Sequence, residues 1–400
     1  MKFKTLRDFD LNGKTVLLRA DLNVPAKDDK VTDTTRIDRL KPTIEWLVKH
    51  GAKTLVLSHF GRPKNKEPEF SLSFLTPLLE KQWGYKVAFA PDCIGDPARK
   101  LASSLKPGQL GLLENTRFYK EEEANDPAFT KALASLGDIY INDAFSAAHR
   151  AHASTEGLAH LMPTGAGFLM EAELNALSAA LEHPQRPVAA IVGGAKISTK
   201  LELLGNLVTK ADLLILGGGM ANTFLYAQGV DVKKSLCEKD MAAQARAIME
   251  KAKAAGCEIV LPVDGMASTA LDPQTQHKIC DIHLVPEDHM ILDIGPQTLQ
   301  VLEGKLQTCR TVVWNGPMGA FEVHPYDKGT VSLARYVGRL TRDRLMASVA
   351  GGGDTVAALE QACVADHFTY VSAAGGAFLE WLEGKILPGV AALNAFASAA

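Results

Sequence analysis

Residues 348–359 read SVAGGGDTVAAL, a short apolar run that ends in glycines and passes directly into helix-forming sequence. Similar runs end in glycines in AIVGGAKISTK at 190–200, LLILGGGM at 213–220 and TVVWNGPMGAFE at 311–322. A short apolar strand followed by a tight turn and a helix is typical of a parallel sheet, in which crossover helices bury both faces. These stretches therefore predict an α/β fold with a parallel sheet in the second half of the chain.

The first half contains apolar runs of the same kind that end in charged and polar residues. They are VLLRADLN at 16–23, LVLSHFGR at 55–62, LGLLENTR at 110–117 and IYINDAFSAAHR at 139–150. Ligands bind beyond the carboxyl ends of parallel strands. Strand ends rich in cations in one half and in glycine in the other therefore predict two binding surfaces, one for a small anion and one for a nucleotide.

The length of the chain, 400 residues, predicts two domains of about 150–200 residues each. Helical sequence at 168–182, preceded by Pro163 and ended by Pro184 and Pro187, marks the divide. We expect two Rossmann-like parallel-sheet domains joined by this helix, with a cleft between them. The predicted ranges are 1–167 for the first domain, 168–184 for the connecting helix and 185–384 for the second domain.

The composition excludes several classes of protein. The net charge is −3, and 46% of residues are hydrophobic and 22% charged, which is usual for a globular chain. No basic stripe indicates a nucleic-acid partner, and no apolar run is long enough to span a membrane. The six cysteines form no C-x-x-C pair, and the first residues lack the apolar core of a signal peptide. We expect a cytoplasmic protein that acts on small molecules.

The glycine-ended strands predict a nucleotide site. Glycine lets backbone amides approach phosphate oxygens, and a following helix N-terminus adds partial positive charge. The turn Gly351–Gly353 is followed by Asp354, a candidate Mg²⁺ ligand, and by Thr355, a hydroxyl donor. The turn Gly193–Gly194 is followed by Lys196 and Lys200, and we expect both ammonium groups to face one phosphate chain.

Asn315 and Glu322 flank another strand end of the second half, and Glu322 is a candidate ligand of ribose hydroxyls, although an exposed loop glutamate is usually only solvated. Neither G-x-x-x-x-G-K-[ST] nor G-x-G-x-x-G occurs, which argues against a P-loop ATPase and against a standard NAD-binding domain.

The cation-ended strands predict an anion site. The candidate ligands of phosphate and carboxylate are the arginines Arg36, Arg62, Arg117 and Arg150, with His59 beside them. Asp21 and Asn23 are candidates to bind a substrate hydroxyl. For His149 and His152 we expect structural hydrogen bonds, and we leave Arg19 out of the site.

The chain resembles the phosphoglycerate kinase family from about residue 4 to about residue 392. The motifs that carry the resemblance are RADLNVP, SHFGRP, ENTRF, NDAF followed by AHRAHAST, GGAK with a further lysine four residues on, GGGM, WNGPMGAFE and GGGDT, in this order. One departure is Ser146–Ala147, where the family commonly has glycine and threonine, and we expect only a small local change there.

The resemblance implies reversible phosphoryl transfer from 1,3-bisphosphoglycerate to ADP, giving 3-phosphoglycerate and ATP in glycolysis. It also implies a monomer with hinge-bending closure, whose last segment, about 385–400, packs on the first domain. By motif, the phosphoglycerate site comprises Asp21, Leu22, Asn23, Arg36, His59, Phe60, Gly61, Arg62, Arg117 and Arg150. The site for ADP or ATP with Mg²⁺ comprises Gly194, Ala195, Lys196, Lys200, Gly217, Gly218, Asn315, Pro317, Glu322, Gly352, Gly353, Asp354 and Thr355.

The expected mechanism uses charge and position and no general base, because a carboxylate acceptor is already ionised at neutral pH. Arg36, Lys196, Lys200 and Gly353 are the predicted catalytic residues. Two other classes of protein are less consistent with this sequence. A two-lobed solute-binding protein would carry no paired lysines in a glycine turn and usually has an export signal. A dehydrogenase would carry the dinucleotide fingerprint that is missing here.

Overall fold

A computed structural model describes residues 3–28 and 30–399, the last five of these as backbone. Contacts divide the chain into two compact units. The first extends to Leu174 and includes the segment from Ile386 onward, and the second is Asn175–Lys385. Each unit is built on a six-stranded sheet, so the predicted class, α/β with two parallel-sheet domains, is confirmed. Positions 1, 2, 29 and 400 of the predicted domain ranges lie outside the described residues.

The sheet of the first unit has the strand order β5-β6-β4-β1-β7-β8, and all of its pairs are parallel. The strands of this unit are β1 (Thr15–Arg19), β2 (Ala26–Lys27), β3 (Lys30–Val31), β4 (Lys53–Leu57), β5 (Val87–Ala90), β6 (Leu110–Leu113), β7 (Ile139–Asn142) and β8 (Thr164–Ala166). The short strands β2 and β3 pair as a separate antiparallel hairpin. The central strand β1 lies between β4 and β7, where the direction of the strand order changes.

The helices of the first unit are α1 (Thr35–Arg39), α2 (Lys41–Lys49), α3 (Thr76–Trp83), α4 (Gly95–Ser104), α5 (Lys120–Glu123), α6 (Pro127–Ala134), α7 (Leu158–Leu161) and α16 (Pro388–Ala399). Hydrophobic periodicity over 37–48 predicts one helix, but the structure has two that meet at Leu40. Pro42 in the first turn of α2 has no N–H to continue the hydrogen bonds of α1, which explains the break.

Alternate residues of β1 enter different cores of the first unit. Val16 and Leu18 belong to one cluster with Ile37 and Ile44. Leu17 belongs to a second cluster that contains residues of α6 and also Ala392 of α16. Because successive side chains of a strand point to opposite faces, helices cover both faces of this sheet. That burial keeps β1 and the loop that follows it in a fixed position.

The second unit repeats the parallel architecture in the order β11-β10-β9-β15-β16-β17. Its strands are β9 (Val188–Val192), β10 (Leu213–Leu216), β11 (Glu258–Val260), β12 (Asp264–Ser268), β13 (His277–Asp281), β14 (Met290–Ile294), β15 (Thr311–Asn315), β16 (Ala347–Gly351) and β17 (Tyr370–Ser372). The strand order of its six-stranded sheet changes direction at β9, which lies between β10 and β15.

The helices of the second unit are α9 (Leu201–Leu207), α10 (Gly218–Ala227), α11 (Ala242–Ala255), α12 (Pro296–Leu306), α13 (Lys328–Arg342), α14 (Gly353–Gln361) and α15 (Gly376–Leu382). Helix α8 (Phe168–Leu181) contains the point at which the contacts divide the chain. No helix within residues 3–28 and 30–399 is long and apolar enough to cross a membrane.

A three-stranded antiparallel sheet in the second unit is not predicted from the sequence. Strand β12 pairs with β13 on one side and with β14 on the other. The apolar run 291–294, which reads as one more parallel strand, belongs to this sheet as part of β14. Strand β13 is almost entirely exposed, so it lacks the continuous apolar sequence that marks the buried strands.

Candidate active site

The predicted anion-binding residues follow β1, β4, β6 and β7 of the first unit. These strands are neighbours or near neighbours in one parallel sheet, so their carboxyl ends lie at the same edge. Arg36 lies farther along the chain than the loop after β1, in helix α1. We call Arg36, Arg62, Arg117 and Arg150 the arginine cluster.

Asp21 is a buried acceptor that organises the loop after β1. It is only 6% exposed. Its Oδ1 accepts a hydrogen bond from the N–H of Asn23 at 3.0 Å, and its Oδ2 lies 2.9 Å from Nη1 of Arg36. A hydroxyl from another loop, that of Ser146, also donates to Oδ2. Asp21 therefore holds the Arg36 guanidinium at this edge of the sheet.

Asn23 ties the loop after β1 to the loop after β4. Its side-chain Oδ1 accepts from the N–H of Gly61 at 2.9 Å, and its backbone oxygen accepts from Arg36 Nη1 at 2.7 Å. Its neighbour Leu22 is fully buried and donates its N–H to Ser58 Oγ at 2.9 Å. The side-chain oxygen of Asn23, a predicted ligand, is thus already engaged in a hydrogen bond within the protein. Leu22 takes part in this loop only through its backbone N–H.

The loop after β4 is fixed by Asn115, a residue that was not selected from the sequence. Asn115 Nδ2 donates to the Phe60 carbonyl at 2.8 Å, and its Oδ1 accepts from the Phe60 N–H at 3.1 Å. Gly61 has φ +62°, and a Cβ there would lie 2.4 Å from the Phe70 ring. The Gly61 carbonyl accepts from Arg117 Nη1 at 2.8 Å. Glycine is thus required at position 61 for conformation and for space.

The cations of the arginine cluster act on one another. Burial lowers the pKa of Arg117 to about 10, and Arg150 is the next largest cause. Arg117 is paired with Glu123, 3.0 Å from Nε, and Arg36 is paired with Asp21. Arg62 is exposed and Arg150 is half-buried. Because the charge of Arg150 disfavours that of Arg117, this edge of the sheet favours an anion.

Two histidines lie beside the arginine cluster and are kept neutral. Burial lowers the pKa of His59 well below its usual range, and the nearby charge of Arg19 adds to the effect. Burial also lowers the pKa of His152 to about 4, followed by the effect of Arg117. Arg19, which is not among the residues predicted for the anion site, is only 1% exposed and lies directly behind His59. Nothing local in the sequence marks it as buried.

Ser146 and Ala147 are the positions at which the sequence differs from the pattern of the family that it resembles. The Ser146 hydroxyl donates to Asp21 Oδ2, a contact that glycine cannot make. Ala147 is buried, 3% exposed, and takes part in the same 3₁₀ turn, Phe145–Ala147. The local change therefore reaches a candidate substrate ligand directly.

In the second unit the glycine turns pack backbone against backbone. A Cβ on Gly193 would lie 1.7 Å from the Pro317 carbonyl oxygen, and one on Gly218 would lie 2.7 Å from the Gly194 carbonyl oxygen. Gly217, the N-cap of α10, faces Met318 in the same way. The turns after β9, β10 and β15 thus touch one another, and only glycine permits this approach.

Lys200 lies inside this group of turns. Its Nζ donates to the Gly193 carbonyl at 2.8 Å and to Asn315 Oδ1 at 2.7 Å. Burial lowers the pKa of Lys200 to about 8, an effect that nearby Asp354 opposes. Lys196 lies exposed on the same turn. The structure therefore gives the two lysines different settings, with Lys200 half-buried against carbonyls and Lys196 open to solvent.

Asn315 and Thr355 join neighbouring turns of the second unit. Asn315 Nδ2 donates to the Gly351 carbonyl at 2.8 Å. The Thr355 hydroxyl accepts from the Gly316 N–H at 2.7 Å. Gly352 has φ +98° and precedes α14, which begins at Gly353. The amides at the start of α14 are thereby presented at the sheet edge.

A cavity of about 350 Å³ opens beside these turns. Its apolar lining includes Leu236, Leu271 and Leu292, and its polar lining includes the exposed carboxylates of Glu322 and Asp354. Its other walls include Gly194, Ala195, Gly218 and Pro317. An apolar slot next to glycine amides suits a planar base joined to a phosphate chain.

Within residues 3–28 and 30–399, no group of three or more His, Cys, Asp or Glu side chains is placed to hold a metal ion. One exposed carboxylate beside a phosphate site is the donor set that suits Mg²⁺, which is usually bound by one or two carboxylates together with substrate phosphates. Asp354 fits such an ion when a nucleotide is present.

The two sites define a class of protein. One is a cluster of arginines, and the other combines glycine turns, a half-buried lysine and an apolar cavity, each at the carboxyl edge of a parallel sheet. An enzyme that binds a nucleotide and a second anionic ligand in this way is a phosphotransferase.

The chain belongs to the phosphoglycerate kinase family, whose model matches residues 6–385. The curated phosphoglycerate kinase of Rhodospirillum centenum is 61% identical over 99% of this chain and 100% of that protein. That of Xanthobacter flavus is 58% identical over 98% of this chain and 99% of its own length.

Solved structures agree with these sequence matches. Phosphoglycerate kinase from Coxiella burnetii is similar with a TM-score of 0.92 and 41% identity, covering 98% of this chain and 99% of that one. The enzyme from Pyrococcus horikoshii OT3 is similar with a TM-score of 0.79 and 31% identity, over the full length of both chains.

Proposed function

We propose that this chain catalyses the reaction of its family, reversible transfer of a phosphoryl group between 1,3-bisphosphoglycerate and ADP in glycolysis. Phosphoglycerate binds to the first domain, 1–167, and the nucleotide binds to the second, 185–384. The observation that carries this proposal is the cluster of cations at one sheet edge, where Arg150 adds to the burial that lowers the pKa of Arg117, and Arg117 adds to the burial that lowers the pKa of His152. Such a site favours an anion.

On the phosphoglycerate side, Arg62, Arg117 and Arg150 bind the phosphate and His59 donates to a further oxygen. Asp21 and Asn23 bind the substrate hydroxyl and carboxylate region, with Phe60 and Gly61 shaping the wall. Arg36 points its guanidinium at the transferring group, because Asp21 and the Asn23 carbonyl hold its Nη1. The acceptor carboxylate has a pKa of about 4 and needs no base.

On the nucleotide side, the Gly194, Gly218 and Gly353 amides bind phosphate oxygens. Lys200 binds the terminal phosphate. Lys196, exposed on the same turn, stabilises charge on the phosphoryl group during transfer. Glu322 binds the ribose hydroxyls at the mouth of the cavity. With the reacting oxygens in line, catalysis consists of positioning and of stabilising charge on the phosphoryl group.

Mg²⁺, held by Asp354 and the nucleotide phosphates, neutralises phosphate charge when it is bound. The test of the function is a coupled assay of ADP formation from ATP. We expect activity only when 3-phosphoglycerate and Mg²⁺ are both present. ATP turnover without 3-phosphoglycerate, or none in any combination, would contradict the proposal, and the second result would favour a binding protein. A cytoplasmic location and a monomeric state stay predictions.

Nucleotide affinity is expected to fall as the pH rises through the pKa of Lys200. That pKa is about 8 in the unliganded protein, and only the protonated ammonium attracts phosphate. Between about pH 7 and about pH 9 the charged fraction falls about tenfold, so Kd for Mg-ADP rises about tenfold. Calorimetric titration across this range measures it.

The Lys200→Met variant should bind Mg-ADP weakly and with little dependence on pH in this range. Lys253→Met removes an exposed lysine of α11 and should retain the wild-type profile. A profile that is unchanged in Lys200→Met would assign the titration to another group.

Transfer also requires that the two ligands meet, although they bind to different units. We propose hinge bending at the two ends of α8 once both ligands are bound. The first-unit end of this helix is anchored, since Asp143 Oδ1 accepts from the Met170 N–H at 2.9 Å and Thr43 Oγ1 accepts from the Phe168 N–H at 3.0 Å.

Small-angle scattering is expected to show a smaller radius of gyration with 3-phosphoglycerate and a non-hydrolysable Mg-ATP analogue together than with either alone. The same radius without ligand, with either ligand and with both, when calorimetry shows that both ligands bind, would rule out a closure step of this kind.

A further inference from the structure

A buried guanidinium lies behind His59 and contacts one nitrogen of its ring. Arg19 Nη2 is 2.9 Å from His59 Nδ1. Both side chains are buried, with Arg19 1% and His59 6% exposed. Among the residues that the structure describes, none forms a hydrogen bond with the other ring nitrogen, Nε2.

This contact determines where the imidazole carries its proton. A guanidinium has only donors and cannot accept a hydrogen bond. Nδ1 must therefore present its lone pair to Arg19, and a neutral ring then carries its proton on Nε2. We propose that Arg19 is a positioning residue that holds His59 as the neutral Nε2–H tautomer, a fixed hydrogen-bond donor to the anionic substrate. The inference rests on the proposed function for its ligand but not for its geometry.

The charge of Arg19 is balanced behind the site. Arg19 Nε donates to Ser154 Oγ at 2.9 Å, and the hydroxyl and N–H of Ser154 both donate to Glu122. Glu122 is fully buried, 0% exposed. Glu122, Ser154 and Arg19 form a hydrogen-bonded chain from a buried carboxylate to the imidazole, which holds Arg19 in place.

The groups that face His59 from the surrounding loops favour the same state. The cations are Arg19, Arg117 and Arg150, with His152 beside them. A positive imidazolium among these arginines would be repelled, and it would also lose its hydrogen bond from Arg19. His59 therefore recognises an oxygen by donation from a neutral ring and does not add a further charge to the site.

As a consequence, the hydrogen bond that His59 donates to the substrate does not depend on pH while the ring is neutral. An unrestrained histidine has a pKa of about 6.5, so it changes charge near neutral pH, and its neutral ring interconverts between two tautomers. With Arg19 in place, the Nε2–H group is available at any pH at which the protein is folded and His59 remains neutral. The ligand atom that suits it is an acceptor, such as a carboxylate or phosphate oxygen.

The first test needs no variant. Nitrogen-15 NMR of the full-length protein labelled at histidine, with His59 assigned by its loss in His59→Phe, reports the protonation of each ring nitrogen. We expect protonated Nε2 and unprotonated Nδ1 from about pH 5.5 to about pH 8. A proton on Nδ1, or a ring that becomes cationic within that range, would overturn the proposal.

The second test is a double-mutant cycle on the KM for 3-phosphoglycerate. Arg19→Met is combined with Glu122→Gln so that no buried carboxylate is left unpaired. This pair should raise KM about tenfold or more while kcat changes little, since a hydrogen bond to a charged group is lost. In the His59→Phe background the same pair should change KM by less than about twofold.

Arg19→Lys is the conservative variant. It keeps the charge and a donor, and it should restore most of the tautomer signal and of KM. An equal rise in KM with and without His59 would contradict an action through that ring. If the wild type lacked 3-phosphoglycerate-dependent activity altogether, the proposed function would fail, yet the NMR signals of His59 would still decide the role of Arg19.

Discussion

Arg36→Met is expected to lower kcat by about 10³–10⁵, the contribution of an arginine that meets a phosphoryl group in transit. Nucleotide affinity should barely change, because Arg36 belongs to the other unit. The fold should survive, since Asp21 keeps its hydrogen bonds from the Asn23 N–H and the Ser146 hydroxyl when Arg36 is removed. Steady-state kinetics and calorimetry with Mg-ADP measure the two effects separately.

Arg39→Met is the matched control, since it removes the same charge three residues later on the same helix, and it should retain near-normal kcat. Arg36→Lys should fall between the two, because an ammonium keeps the charge but lacks the planar fork. Near-normal turnover in Arg36→Met would remove this residue from the mechanism.

Gly193→Ala is expected to abolish nucleotide binding and to destabilise the second unit by more than about 3 kcal/mol. The added Cβ would lie 1.7 Å from the Pro317 oxygen and 2.5 Å from its carbonyl carbon. Both are backbone atoms, so no side-chain rotation relieves the overlap. The turns after β9 and β15 must separate, and Lys200 then loses its carbonyl partner. Calorimetric titration with Mg-ADP and thermal unfolding report the two losses.

Gly304→Ala is the control for this substitution. Gly304 lies in α12, and an added Cβ there would meet no atom within 4 Å. This variant should be stabilised by about 0.5–1 kcal/mol, as expected for alanine in place of glycine within a helix. Wild-type affinity and stability in Gly193→Ala would show that the close approach of the two turns is wrong.

The fold is largely predictable from the sequence, because buried parallel strands are continuous apolar runs. The apolar runs that open LGLLENTR, IYINDAFSAAHR and LLILGGGM are the strands β6, β7 and β10. The exposed strand β13 and the three-residue β8 carry no such signal and are missed. Helix ends are also missed where proline interrupts the hydrogen bonds, as between α1 and α2.

The site is less predictable, because motifs identify residue types but not the partners that hold them. The partner of Arg19, Ser154, is 135 residues away in sequence, so no local pattern distinguishes this buried cation from a solvated one. Similarly, the spacing of Lys196 and Lys200 predicts one shared environment, whereas folding leaves Lys200 half-buried against the Gly193 carbonyl and Lys196 exposed. Long-range contacts decide both cases.

Helix α16 completes the first unit from the far end of the chain. Ala392 lies in the core cluster that covers one face of the first sheet, and the Gly389 N–H donates to the Ala148 carbonyl at 2.9 Å. During synthesis on the ribosome this helix is made after the whole of the second unit. At about 5–20 residues per second, the stretch from Asn175 to the end of α16 takes on the order of 10–45 s to make, and the first unit waits that long for its final element. The native first unit therefore forms only after the second unit has been made, and the order of synthesis is not the order in which the units are completed.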